Sequence, residues 1–202
     1  MSDLIDTTEM YLKTVYELEE DGVTPLRARI VERLDHSGPT VSQTVARMER
    51  DGLIHVAPDR SLELTDAGRH RATEVVRKHR LAERLLLDVI RLDRNLVHQE
   101  ACRWEHVMSD DVEARLLAVL DDPGVDPFGN PIPEAGDQRP APAADEMSVE
   151  EARRRGVQRG VIKRLGEPVQ AREEVFTEIN KAGIAPGVSV NISTDAHGVI
   201  VT

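Results

Sequence analysis

One cysteine, Cys102, stands among 202 residues, and aromatic side chains make up 2%. A single thiol excludes an intramolecular disulfide framework, so a reducing compartment is expected. The shortage of rings removes the stacking platform on which single-strand nucleic-acid binders depend. No run approaches the roughly 20 apolar residues of a membrane helix, and MSDLIDTTEM carries acid where a secretory leader carries positive charge. A soluble, cytoplasmic protein is therefore expected. HExxH, a Gly-rich phosphate loop and a Ser/His/Asp motif are all missing, so nothing asks for catalysis and no enzyme is expected. A formal net charge of -11 excludes the broad positive surface of a protein that coats nucleic acid indiscriminately. The charge is segregated, however: residues 27 to 80 hold 11 Lys and Arg against 8 Asp and Glu, a local +3 that leaves -14 for the rest.

What is present begins with helical periodicity. Asp6, Thr7 and Thr8 offer caps for a helix carrying Met10, Tyr11, Val15 and Leu18 and ending near Gly22. Arg27 to Leu34 reads as a short second helix, broken by Asp35-His36-Ser37-Gly38, and a third starts at Pro39 with Val41, Val45 and Met48 on one face. Two short helices around a tight turn make a helix-turn-helix. Leu53 to Val56 and Ser61 to Leu64 bracket Ala57-Pro58-Asp59-Arg60, a hairpin signal that reads as a wing. A fourth helix is expected from Thr65-Asp66 to about Ile90, with Val75, Val76, Leu81, Leu85, Leu86 and Val89 in its apolar stripe, and a fifth from Asp93 to Met108. Asp110 and Glu113 have capping-box spacing at the head of a sixth. From Asp121 to about Ser148, Pro, Gly, Ala and Asp dominate and the stretch reads as a linker. Beyond Ala152, the runs Val157 to Ile162, Val175 to Ile179 and Val188 to Ile192 predict a small β-rich module.

Two constellations carry chemistry. With Val41, Val45 and Met48 turned inward, Thr40, Ser42, Gln43, Thr44, Arg47 and Arg50 face solvent on the third helix. Gln suits an adenine edge, hydroxyls and Arg suit phosphates, and Arg27 and Arg60 flank the face; a merely solvated helix face gives the same polarity. His79 and Glu83, four apart, share one face of the fourth helix. Cys102, Glu105 and His106 share one face of the fifth, with His98 one turn before. Thiol, carboxylate and imidazole crowded onto one stripe point to a metal rather than to packing. Softness alone permits iron, cobalt, nickel or zinc, and the usual affinity order puts ferrous iron below the others. A metal-dependent enzyme and a DNA-binding adaptor that senses no metal both stay compatible with these residues.

The strings DTTEMYLKTVYELEE, VTPLRARIVERLDHSGPTVSQTVARMERDGL, RKHRLAERLL and HQEACRWEHVMSDDVE closely resemble the diphtheria-toxin-repressor family of iron-dependent regulators, from residue 3 to about 133. The resemblance implies a mainly α chain. A winged helix-turn-helix spans 1–72 and a helical metal-binding and dimerisation domain 73–140; a linker at 141–150 leads to an SH3-like module over 151–202. It implies a primary, activating site of Met10, Cys102, Glu105 and His106, and an ancillary site of His79, Glu83 and His98 completed by a Glu and a Gln three apart, here Glu167 and Gln170. It implies Gln43 reading a base, Ser37 and Pro39 near thymine methyls, and Thr7, Arg27, Thr40, Ser42, Arg47, Arg50 and Arg60 near phosphates. It also implies a homodimer meeting around Leu85, Val89 and Trp104, two dimers per operator, and control of iron-uptake genes. Fe(2+) would be the activator, with Co(2+), Ni(2+), Zn(2+) or Mn(2+) as substitutes in vitro.

Two departures from the family pattern stand out. Asp126 occupies a position where relatives commonly carry Ser beside an anion held by Arg80 and Asn130, and a carboxylate there repels an anion, so that site is not expected. The β-rich module stops at Thr202, short of the strands that close the SH3-like fold, so either the module is incomplete or it closes differently.

Overall fold

Asp6 opens the first helix of the computed structural model, which describes residues 6–134, 143–195 and 198–202: its carboxylate accepts from the amides of Thr8 (2.8 Å) and Glu9 (3.2 Å). This N-cap satisfies donors that have no partner inside α1 (Thr7–Glu20). α2 (Arg27–Leu34) ends where Asp35 turns left-handed, at φ 53°, and the Ser37 hydroxyl caps α3 (Gly38–Arg50), with Pro39 in its first turn. Val41, Val45 and Met48 pack with Tyr11, Leu12 and Ile30 and with Ile54 and Leu62 of the hairpin. β1 (Ile54–Val56) and β2 (Leu62–Leu64) are antiparallel, with Ile54 opposite Leu64. Arg60 stands at the hairpin tip with φ 72°, and Asp59 holds the Ser61 amide at 3.0 Å, a tight turn followed by a left-handed residue.

α4 (Asp66–Arg84) is capped by Thr65. The expected helix to Ile90 changes character at its end, where Leu85–Val89 form a π-helical turn closed by the Ile90 amide on Leu85 O. The wider turn keeps Leu86 in the core and turns Val89 and Ile90 outward, 53% and 51% exposed. α5 (Arg94–Trp104) stops a turn earlier than its periodicity suggests, with Glu105 as its C-cap. Ser109 caps α6 (Asp110–Val119), and Glu113 leaves the expected capping box for a buried pair with Arg77.

The stretch after α6 corrects the linker reading. Val125 bridges Pro131, and the Asp126 carboxylate accepts from the amides of Phe128 (2.7 Å) and Asn130 (2.9 Å), so residues 123–131 form a packed loop around a fully buried Phe128. Sequence composition marks turns but does not show that a turn is nailed down by one buried carboxylate. The expected division at 140 lies outside the described residues, the one at 72 falls within α4, and α7 (Val149–Arg154) begins inside the expected linker.

In the last module β3 (Arg159–Val161), β4 (Ser189–Asp195) and β5 (Gly198–Val201) form an antiparallel sheet in that order. Between them lie α8 (Glu167–Gln170) and α9 (Glu173–Lys181). The expected strand Val175 to Ile179 is therefore helical: Phe176 and Ile179, three apart, turn to one side, and acidic residues fill the first turn. Phe176 meets Phe128 edge-on at 5.4 Å within a core that also holds Ala82, Leu86, Val97, Ala101 and Leu165. Among the described residues no helix is long and apolar enough to cross a membrane.

Candidate metal centre and DNA-reading face

His79, with no exposed surface, is the hinge of a buried polar cluster. Its Nδ1 lies 2.6 Å from Glu105 Oε2, and its Nε2 3.0 Å from Glu83 Oε1, the residue one turn along α4. The second oxygen of Glu105 lies 3.3 Å from His106 Nε2, whose ring turns its Nδ1 to Glu9 at 2.8 Å. Across from α4, His98 on α5 stands edge-on to His79 at 5.0 Å, and its Nε2 is 3.6 Å from Cys102 Sγ. The ligand atoms of His79, His98 and Cys102 all lie within 4.8 Å of one another. Met10, on α1, lines one cavity of about 170 Å3 with Cys102, Glu105 and His106; Lys13, Glu17, His98 and Glu167 line it too.

The expected residues thus come together, but as one continuous cluster rather than two separate sets. Glu105 of the expected primary set bonds His79 of the ancillary set, and Cys102 meets His98. Glu167 is buried, 3.8 Å from His79 Nε2. Gln170 beside it donates through Nε2 to Leu165 O at 2.9 Å. Lys13 was invisible to sequence reasoning: its ammonium lies 2.7 Å from Glu105 and 3.0 Å from Glu167. The one available signal was its position a turn after Met10 on a face shared with Glu17. Glu9 was missed for a plainer reason, since a first-turn acid reads as a capping charge.

Packing so many ionisable groups away from water shifts them strongly. Burial raises Glu83, yet His79 and His98 outweigh it and bring its carboxyl from 4.5 to about 2. Burial lowers His98, and Cys102 and Glu83 reverse this, lifting it to about 9. Burial raises the Cys102 thiol, but Lys13, His79 and His98 leave it at about 6. The thiolate is the ligand form of cysteine. Among the described residues, the buried Glu83 Oε2 and Gln170 Oε1 accept no hydrogen bond. Sulfur, imidazole and carboxylate donors with acceptors to spare fit a transition-metal cation.

The neighbourhood of Arg80 bears on the departure at Asp126. Arg80 forks onto Glu20 at 2.9 and 2.7 Å and reaches Pro131 O, while the Asn130 amide donates to Asp126 at 2.7 Å and Leu165 O at 3.1 Å. The groups that the resemblance associates with an anion are thus paired within the chain.

On α3, Ser37, Pro39, Thr40, Ser42, Gln43, Arg47 and Arg50 are exposed along one side, joined by Thr7 at the start of α1 and Arg60 at the wing tip. Arg27 is half-buried. Thr44, expected in the same face, is also half-buried, its hydroxyl bonded to Tyr11. Ser37 spends its hydroxyl as the cap of α3, 3.3 Å from the Thr40 amide, and Arg47 touches Thr8 at 3.3 Å. Of the expected dimer residues, Val89 is exposed while Leu85 and Trp104 are half-buried, Trp104 Nε1 donating to Glu100 at 2.8 Å.

Known proteins match the chain in two segments. Residues 3–62 match the iron-dependent repressor N-terminal DNA-binding domain, and residues 65–134 the iron-dependent repressor metal-binding and dimerisation domain. The chain is 55% identical over 206 positions to the diphtheria toxin repressor of Corynebacterium glutamicum, covering 100% of this chain and 90% of that one. It is 56% identical over 206 positions to the iron-dependent repressor IdeR of Mycobacterium tuberculosis, covering 98% and 88%. Among solved structures, the manganese regulator SloR superposes with a TM-score of 0.73 at 25% identity over 96% of this chain and 92% of that one. A winged DNA-reading head, a buried sulfur–imidazole–carboxylate cluster and these relatives agree, and the chain belongs to the iron-dependent repressor family.

Proposed function

We propose that this chain is a cytoplasmic repressor of iron-uptake and iron-homeostasis genes, activated for operator binding by Fe(2+) and acting as a homodimer, with two dimers on one operator. The observation that carries this reading is the convergence on one cavity of Met10 from the reading head with Cys102, Glu105 and His106 from the helical domain. In this reading those four residues hold the activating ion. His79, Glu83, His98, Glu167 and Gln170 hold the ancillary one, with Co(2+), Ni(2+), Zn(2+) or Mn(2+) as in-vitro substitutes. A divalent ion supplies concentrated positive charge to donors that belong to separate parts of the chain, and so favours the conformation in which the reading head is fixed. Gln43 reads a base edge with Ser37 and Pro39 beside it. Thr7, Arg27, Thr40, Ser42, Arg47, Arg50 and Arg60 approach phosphates. Val89, with Leu85 and Trp104, belongs to the dimer contact. The divisions at 72, 140 and 150 belong to the same reading.

A manganese sensor is the second reading, favoured by the likeness to a manganese regulator. Two sulfur donors, Met10 and Cys102, weigh against it, because manganese prefers oxygen. Operator binding measured anaerobically against Fe(2+) and Mn(2+) decides between them. Met10→Ala, Glu105→Ala and His106→Ala are each expected to abolish metal-dependent operator binding; a variant that responds to Fe(2+) at the wild-type concentration contradicts the ligand assignment.

A further inference from the structure

The inference concerns Lys13 and rests on the metal reading above. Its side chain is 8% exposed, and its ammonium contacts one oxygen each of Glu105 (2.7 Å) and Glu167 (3.0 Å). These carboxylates come from different elements, the end of α5 and the start of α8. The other charged and titratable groups acting on the ammonium are Glu17 on its own helix, His79 on α4 and Cys102 on α5. Arg80 also reaches Glu167, at 3.5 Å, but Lys13 is the lysine that bridges the two carboxylates.

We propose that Lys13 is a tethered competitor of the metal: its ammonium occupies the Glu105 and Glu167 carboxylates in the metal-free protein and must withdraw when divalent cations take them, Glu105 for the activating ion and Glu167 for the ancillary one, so that this one side chain raises the metal concentration at which the repressor loads. An ammonium and a divalent ion on the same carboxylate oxygen repel each other, and burial leaves little water to screen them. Occupancy by one thus requires departure of the other. The route out is present: Glu17, one turn along α1, lines the same cavity and pairs with Arg33 at 3.2 Å. The observed metal affinity is then the intrinsic affinity of the donors, lowered by the stability of the Lys13 pairs.

The test uses the full chain, with Co(2+) titrated anaerobically at one pH and followed by absorbance, and thermal melting with chelator and with saturating Co(2+). Lys13→Met is expected to bind Co(2+) about tenfold more tightly and to melt earlier in chelator, because Glu105 and Glu167 each lose a buried cationic partner. Its melting with saturating Co(2+) should match wild type. Lys13→Arg keeps the charge and should keep the weaker affinity. Equal or weaker Co(2+) binding by Lys13→Met, or equal losses of stability with and without metal, makes Lys13 a permanent strut and overturns the proposal. Should Lys13→Met fail to fold, Lys13→Gln takes its place and the same ordering decides. A wild-type chain that takes up no Co(2+) overturns the ligand assignment as well, whereas uptake with unchanged affinity in the variant overturns this inference alone.

Discussion

Glu83 and His98 are each shifted against the direction that burial alone imposes, so their charges are a property of their partners. For Glu83, whose carboxyl falls from 4.5 to about 2, the stabilisation is fully present above 4.5 and is lost as pH falls towards 2. Glu105 and Glu167, also held below the ordinary value against their burial, act in the same direction. His79 is raised well above 6.5, since Glu167, Glu83 and Glu105 outweigh its burial and Lys13, so its contribution is present below 6.5 and declines as pH rises. Glu17, raised by burial and by Glu167, also favours the acidic side. The His98–Cys102 pair adds little between 6.5 and 9, because imidazolium with thiolate holds one proton there, the same number the two groups hold when unfolded. The metal-free protein is therefore expected to be most stable between about pH 4.5 and 6.5. Thermal melts in chelator across pH check this, and a maximum on the alkaline side of 6.5 contradicts it. Glu83→Gln should flatten the acidic limb.

At the scale of single elements, the loop after α6 holds Glu167 in register. Gly129 sits at φ 89°, and a Cβ there would collide with the Lys163 carbonyl, on the strand of chain that leads to Leu165 and Glu167. Left-handed backbone and a backbone neighbour that cannot swing aside act together, so Gly129→Ala is expected to cost about 2 to 4 kcal/mol. Denaturant unfolding measures it, and a loss below about 0.5 kcal/mol, typical of a surface change, contradicts it. That loop was also the least legible part of the sequence. α1 to α3 and the wing announce themselves because caps, Pro39 and a 3.6-residue apolar period are all local signals. Asp126, Phe128 and Asn130 are recognisable only once Leu165 and Phe176 are beside them. The short apolar run at Val175 is equally ambiguous between strand and helix until its burial is known. The site follows the same rule: i, i+4 pairs such as His79–Glu83 were legible, while Lys13 and Glu9, whose partners lie on other elements, were not. For α3 the legible pattern makes a prediction of its own. Gln43→Ala should relax sequence preference, whereas Arg60→Ala at the wing tip should weaken all duplexes about equally. A mobility-shift series on matched and scrambled operators separates the two, and equal specificity loss in both variants refutes the division of roles.

Over the whole molecule, the three parts of the chain are joined by buried contacts rather than merely tethered. The DNA-reading head reaches the helical domain through Glu20 on Arg80, at 2.7 and 2.9 Å, and the last module through Arg164 on Asp21, at 3.0 Å. The last module in turn shares a core with the helical domain: Phe176 lies against Phe128, and Asn180 donates to Asn95 at 2.7 Å. A module whose apolar surface is completed by another cannot unfold by itself without exposing that partner's core, so cooperativity should extend across the chain. Metal-free wild-type protein is expected to melt in one transition. Phe176→Ala removes a fully buried ring, at a cost of about 3 to 5 kcal/mol. Because Phe128 and Leu165 lose their cover at the same time, the variant should move that single transition to lower temperature, with fluorescence of the lone Trp104 and backbone circular dichroism falling together. If the circular-dichroism signal of the last module were lost in a separate, earlier step while Trp104 stayed unchanged, the module would be an independent appendage. In that case Glu167 would have no rigid support from which to reach His79.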